Sequence, residues 1–376
     1  MAPSDRPRLT SVARLAFALA AVAGLSCGGA MAQTTGGQKL PAAAAAATGG
    51  PPRLFVQIKD DLWRAGNGNW WCLVYNTPDG LLLVDTISPD FAVWLKSELN
   101  RRFPGKPVRY IVYSHTHWDH AAGAAVFADD HPHIVAQERA LANMDGRWPH
   151  LPGDMTDRNN NGMLDNEEMV IPTLEHFATC GMGRGSFEAI DKSHTGHISG
   201  ADWWTVTGVA RPDITYSQRM TLQLGGRRID LVFPGLNHAD DGTVVVFPAE
   251  RVAFSVDFPA DALVTTSMRS MPSACGVFDQ HSMADWIKSY RTLEDLDFDI
   301  LAQGHGSVTF TKADVAEGRK FFETLRDEVS RGMAQGKSLA ELKRTVLLPQ
   351  YKDWAYYDML RADDVEAAYL NLKTYR

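Results

Sequence analysis

The segment SHTHWDH (114–120) constrains this chain more than any other stretch. It places three imidazoles and one carboxylate within six residues, directly after VRYIVYS (108–114). That run is rich in β-branched and aromatic residues and reads as a strand. On an extended backbone His115 and His117, two apart, face the same side. Asp119 and His120 follow where AAGAAVFADD predicts a short helix. Such a set suits a divalent cation of borderline softness, most naturally zinc, with iron or manganese as alternative occupants.

Around this segment strand-like and helix-like stretches alternate. WWCLVYN (70–76) and LLLVDT (81–86) read as strands joined by a PDG turn, and PDFAVWLKSELNRRF (89–103) as an amphipathic helix opened by proline. HIVAQ is a further strand. The rhythm stops between about 140 and 210. It resumes with the hairpin MTLQLGGRRIDLVFPG (220–235) and the strands TVVVFP (243–248), VAFSVDF (252–258) and FDILAQG (298–304), with a helix over 281–296. Residues 311–376 read as charged helices. The expectation is an α/β domain of stacked sheets and outer helices, with halves at 53–140 and 211–310, a polar insert at 141–210 and C-terminal helices after 310.

The pattern HxHxDH resembles that of the metallo-β-lactamase superfamily, and the likeness continues along the chain. Asp85 ends the strand before the motif, and His238 stands before a strand in PGLNHADDGTVVVFP. Asp257 ends VAFSVDF, although Val256 occupies the place where the family usually has glycine. His305 follows a strand in LAQGHG. The resemblance implies an αββα sandwich with two metals at one edge. It implies one metal on His115, His117 and His238, a second on Asp119, His120 and His305, and Asp257 bridging them. Asp85 is implied to act through a ligand histidine or the motif loop.

Zinc lowers the pKa of a bound water from ~15.7 to ~7, so the resemblance implies a hydroxide nucleophile at neutral pH. Asp119 is the expected catalytic residue, orienting that nucleophile and later protonating the leaving group. A bridging aspartate is similar to the glyoxalase II-like and lactonase-like branches rather than to true β-lactamases. The expected reaction is therefore hydrolysis of an ester, thioester, lactone or amide in a small molecule. Antibiotic hydrolysis of the β-lactamase type, iron-dependent redox or sulfur chemistry, and a calcium-binding module without catalysis are the alternatives. Of the remaining histidines, His131, His133, His150, His176, His194 and His197 read as surface or structural, and His281 as a contact near the substrate pocket.

The formal net charge of −8 does not favour nucleic acid or anionic membrane as a partner, since both call for a basic surface. Arg6, Arg8 and Arg14 precede the apolar run LAFALAAVAGL and then AMAQ, which reads as a signal peptide cleaved after Ala32. The run is too short for a permanent membrane span. Export to the periplasm or beyond is expected. A lipid anchor on Cys27 is the weaker alternative, because Gly24 stands where a branched aliphatic residue is usual. Residues 33–52, with AAAAAA and GGPP, read as a disordered linker. After cleavage Cys72, Cys180 and Cys275 remain, enough for one disulfide at most. The sequence leaves oligomeric state open.

The insert carries a second signal. DRNNNGMLDNEE (157–168) matches an EF-hand calcium loop: Asp157, Asn159 and Asn161 at positions 1, 3 and 5, Gly162 at the sharp turn, the Met163 carbonyl at 7, Asp165 at 9 and Glu168 at 12. DKSHTGHISGAD (191–202) repeats the scheme with Asp191, Ser193, Thr195, the His197 carbonyl, Ser199 and Asp202. Fewer charges and a shorter last carboxylate predict weaker binding there. Two such loops predict an EF-hand pair joined by a short ladder through Leu164 and Ile198, holding calcium and walling the metal cleft.

Overall fold

A computed structural model of the chain describes residues 52–144, 159, 161, 163–165, 168, 191, 194–199, 208–259, 269–272, 281–306 and 309–375. Two sheets face each other. The first runs β1 (Arg53–Lys59), β2 (Leu62–Asn67), β3 (Trp70–Thr77), β4 (Gly80–Val84), β5 (Val108–Val112), β6 (His133–Gln137) and β9 (Ile214–Tyr216). β1 to β4 form an antiparallel meander, while β4, β5, β6 and β9 are parallel. The second sheet runs β10 (Arg219–Leu224), β11 (Arg227–Val232), β12 (Val244–Phe247), β13 (Val252–Ser255), β14 (Ile300–Gln303) and β15 (Thr309–Phe310), antiparallel except for the β13–β14 pair, and β7 (Met163–Asp165) and β8 (His197–Ser199) form a separate two-stranded ladder.

Three apolar cores hold four layers together. One, with Leu73, Val84, Leu231, Val245 and Phe254, fills the space between the sheets. A second seals the helix Pro89–Arg102 onto the first sheet through Phe91, Leu95 and Leu99. A third seals the helices Met283–Glu294, Lys312–Ala334 and Tyr357–Thr374 onto the second sheet through Trp286, Phe322 and Val365. The result is the αββα order that the family resemblance implies. Central strands such as β4 and β12 are buried along their whole length, because each is covered on both faces. That is why LLLV and VVVF show no alternation.

The helix starts are written locally. Ser88 accepts a hydrogen bond from the Phe91 amide with Pro89 following, and Thr311 and Asp314 form a reciprocal capping box. Two features depart from the sequence expectation. β1 and β2 add an edge hairpin ahead of residue 70. β9, within the segment assigned to the second half, instead completes the first sheet beside β6. Cys72 is a buried free thiol, whereas Cys180 and Cys275 lie outside the described residues, as do the signal-peptide segment and nearly all of the linker. No helix among the described residues is long and apolar enough to cross a membrane.

Candidate metal centre

The strand ends β4, β5, β11, β13 and β14 converge on one edge of the sandwich. β5 delivers Ser114–His117, and the short helix Trp118–Ala121 delivers Asp119 and His120. The loop between β11 and β12 carries His238, the end of β13 carries Asp257, and the end of β14 carries His305. Ligand-capable atoms of His115, His117, His238 and Asp257 lie within 4.8 Å of one another, and so do those of Asp119, His120 and His305. These are the two groups expected from the motif.

Asp257 sits between the groups. Its Oδ2 lies 3.5 Å from His115 Nε2, 3.4 Å from His238 Nε2 and 3.3 Å from His120 Nε2, while its Oδ1 lies 3.1 Å from His305 Nε2. Asp257 adopts φ 53°, a left-handed conformation that aims the carboxylate back into the site.

The donor set fits bound cations. His238 Nε2 and His117 Nδ1 face each other at 3.0 Å, and His120 Nε2 and His305 Nε2 at 2.9 Å. His115 Nε2 and Asp119 Oδ1 are buried without a hydrogen-bond partner among the described residues. A buried polar atom without a partner costs ~1–3 kcal/mol, and a cation shared by convergent nitrogens and carboxylates removes that cost. Burial drives the His115 and His117 imidazoles well below their ordinary pKa, so both present neutral lone pairs. Burial also disfavours charge on Asp257 and Asp119. It is outweighed by His305 and His238 for the former and by His120 for the latter, and both carboxyls lie well below the usual range.

The outer contacts are tightly organised. Asp85 is wholly buried at φ 68°, accepts a hydrogen bond from the Ser114 amide at 2.8 Å, and has its other oxygen 3.6 Å from His120 Nδ1. Burial raises its pKa to about 6. Asp241 accepts from the amide and hydroxyl of Thr116, the residue between the two motif histidines, at 3.1 and 2.6 Å. The Trp70 indole donates to Asp119 Oδ2 at 3.0 Å. Arg64, wholly buried, donates to the carbonyls of Gln303 and Gly306 on either side of His305, at 2.6 and 2.9 Å. The sequence expectation had overlooked Trp70, Arg64 and Asp241. Asp241 follows His238 by three residues in NHADDG and could have been found there, whereas no local pattern marks the other two. His281 bonds through Nδ1 to the Asn237 carbonyl next to His238. His133 pairs with Asp213 on the surface.

In the insert, Leu164 and Ile198 are paired in a two-stranded antiparallel ladder, flanked by Met163↔Ser199 and Asp165↔His197. Glu168, buried, accepts from the amides of Asn159 and Asp165, and Asp191, buried, accepts from those of Thr195 and Gly196. The Asn161 side chain accepts from the Met163 amide, and Thr195 donates to the His197 carbonyl. Asp157, Ser193 and Asp202 lie outside the described residues. Two hydrogen bonds tie Asn143 and Ala210 to the edge that carries the histidine groups. Asn143 donates to Asp240 at 2.9 Å, two residues from His238, and the Tyr113 hydroxyl donates to the Ala210 carbonyl at 2.8 Å, two residues from His115.

A family model described as the metallo-beta-lactamase superfamily matches residues 63–305. The alpha subunit of 2,4-dinitroanisole O-demethylase from Nocardioides sp. (strain JS1661) is 23% identical over 256 residues, covering 68% of this chain and 58% of that protein. The chain thus spans less than two thirds of the length of that relative. Among solved structures, a stereoselective inverting sec-alkylsulfatase from Pseudomonas sp. superposes with a TM-score of 0.57 at 16% identity, over 86% of this chain and 50% of that one. A metallo-beta-lactamase from Pontibacter korlensis gives 0.45 at 15% identity, over 72% of this chain and 99% of that one. At that identity the likeness to the alkylsulfatase speaks to fold alone.

Proposed function

The chain belongs to the metallo-beta-lactamase superfamily, and on that premise we propose that it is an exported two-zinc hydrolase of a small molecule, cleaving an ester, thioester, lactone or amide bond. The observation that carries this reading is Asp257, within 3.1–3.5 Å of imidazoles from both ligand groups. A carboxylate there suits two cations and supports the bridging-aspartate branches over β-lactam hydrolysis.

His115, His117 and His238 would hold one cation, and Asp119, His120 and His305 the other. When bound, zinc supplies an acidified water and a Lewis acid for the substrate oxygen. The chain's own residues do the rest. Asp119 turns Oδ2 toward His120 at 3.4 Å. Its Oδ1, without a partner among the described residues, is the oxygen we assign to take the nucleophile's proton and return it to the leaving group. Asp85 and Asp241 hold the motif loop rigid, so the reacting groups meet in one geometry.

The test is a substrate panel on zinc-loaded protein covering lactones, thioesters, carboxylic and sulfate esters, aryl ethers, β-lactams and phosphodiesters. Turnover that disappears in His117→Ala supports the reading. Purified protein that binds no transition metal, or that holds redox-active iron and hydrolyses nothing, overturns it.

A second reading concerns the insert. We propose that its two loops form an EF-hand pair filled by calcium, a structural brace for one wall of the cleft. The Leu164↔Ile198 ladder and the ties from Asn143 to Asp240 and from Tyr113 to Ala210 support it. Extracellular calcium modules bind at ~10⁻⁴–10⁻³ M, a range in which an exported protein would stay loaded.

A further inference from the structure

We propose that Trp70 is a positioning residue of the second metal position, assigning different tasks to the two oxygens of Asp119; this rests on the two-metal reading above. The indole Nε1–H donates to Asp119 Oδ2 at 3.0 Å. That oxygen also faces His120 Nε2 at 3.4 Å and His305 Nε2 at 3.8 Å, so it is the one turned toward the second ligand group. Oδ1 is buried with no hydrogen-bond partner among the described residues. A carboxylate on a single side-chain torsion can rotate to exchange its oxygens. A directional donor on one of them removes that freedom, and the hydrogen bond to an anionic acceptor is a strong one. Trp70 thereby holds Oδ2 for the cation and leaves Oδ1 for the proton.

Trp70 is itself mounted on the loop that carries His305. Its backbone forms a bridge with His305, the Trp71 amide donates to the Gly304 carbonyl at 2.7 Å, and the Gly306 amide donates to the Asn69 carbonyl at 3.0 Å. The indole and the His305 ring meet edge-on with centroids 5.7 Å apart. One side chain therefore ties two of the three members of the second group to each other, and it has no direct contact of this kind with His117 or His238 among the described residues. Outer partners of metal ligands typically contribute 10–100-fold in metal affinity, so the effect should fall on the second cation alone.

The experiment is a cobalt titration of metal-free full-length protein, read by visible absorption and by competition with a chelator. Trp70→Phe keeps the ring and removes the N–H. The expected result is two equivalents bound by the wild type and, in Trp70→Phe, an unchanged first equivalent with the second weakened 10–100-fold and its d–d bands altered. A second equivalent that binds and absorbs as in the wild type overturns the role of Trp70. A wild type that binds fewer than two equivalents overturns the two-metal reading instead. Should Trp70→Phe fail to fold, indole-¹⁵N labelling supplies the second readout. Asp119→Ala should move the Trp70 signal among the ten tryptophan indole resonances, and an indole spectrum unaltered by that substitution overturns the proposal.

Discussion

Gly304 and Val256 share one packing space beneath the metal edge: a methyl group on Gly304 would lie 2.4 Å from Val256 Cγ2. Each residue immediately precedes a member of the candidate site, Asp257 and His305, and their strands pair in parallel with Ser255 opposite Gln303. The valine that replaces the usual glycine at 256 is thus accommodated by a glycine on the neighbouring strand. Gly304→Ala should destabilise the protein by about 1–3 kcal/mol through overpacking. In a Val256→Gly background the same change should cost far less. Urea denaturation of the four proteins of this double-mutant cycle measures the coupling, and equal costs in both backgrounds would refute the packing account.

Arg64 is the next point of attack. Burial lowers its pKa to about 9, yet it remains charged at neutral pH and spends that charge on two backbone carbonyls flanking His305. Arg64→Met removes the donor and leaves both carbonyls short of a partner. The expected loss is roughly 2–4 kcal/mol, together with weaker retention of the second metal. Both bonds leave the single Nη2 nitrogen, so Arg64→Lys, which can also donate twice from one nitrogen but lacks the guanidinium's reach and its stacking over Trp71, should recover only part of it. Chemical denaturation with parallel metal analysis distinguishes the three proteins.

Asp241 predicts a pH effect of definite sign. Burial is the largest influence and raises its pKa to about 6, against the hydrogen bonds from Thr116. An aspartate in the unfolded chain titrates near ~3.9. Between these values the native state keeps a proton that the unfolded state has lost, so stability falls as pH rises through ~4–6 and stays reduced above. Asp241→Asn keeps an acceptor for Thr116 and removes the titration. On chelator-treated protein its advantage over the wild type in unfolding free energy, measured by urea denaturation, should grow from pH 4 to pH 6.5, reaching up to ~3 kcal/mol. An advantage independent of pH would show that Asp241 does not titrate in this range.

Chelation should destabilise the fold as well as stop turnover. The buried nitrogens and carboxylates at the edge converge on points that a cation would occupy. A ligand at ~1,000 times its dissociation constant adds ~4 kcal/mol to stability. Calorimetry should show a drop on the order of 10 °C when transition metals are stripped, reversed by two equivalents of zinc. A melting temperature indifferent to chelator would count against metal binding at these residues.

Calcium makes a separate prediction. The double variant Asp157→Ala with Glu168→Ala should abolish calcium-dependent stabilisation while leaving the zinc content at two. Turnover should fall in parallel with loss of order in the insert, since Asn143 and Ala210 tie its ends beside His238 and His115. If melting temperature and turnover match the wild type with and without calcium, the brace does not exist.

The candidate ligands were legible in the sequence to different degrees. The cluster His115, His117, Asp119 and His120 is recognisable on its own, whereas Asp85, His238, Asp257 and His305 were singled out only through the family resemblance. The pairing of Leu164 with Ile198 was likewise expected from a resemblance, that of the two loops to a paired EF-hand. The edge hairpin β1–β2 was less legible, since β1 is half exposed and carries little of the burial pattern that marks the inner strands.

What only the tertiary structure decided are the hydrogen-bond partners of the candidate site. Trp70 reaches Asp119 across 49 residues, Asp241 reaches Thr116 across 125, and Arg64 reaches Gln303 across 239. Such pairs obey no period and leave no spacing to read. They exist because two sheets, closed over a shared core, bring chain segments of unrelated sequence to the same edge. A buried donor or acceptor must then find its partner among whatever the fold has placed within about 3 Å.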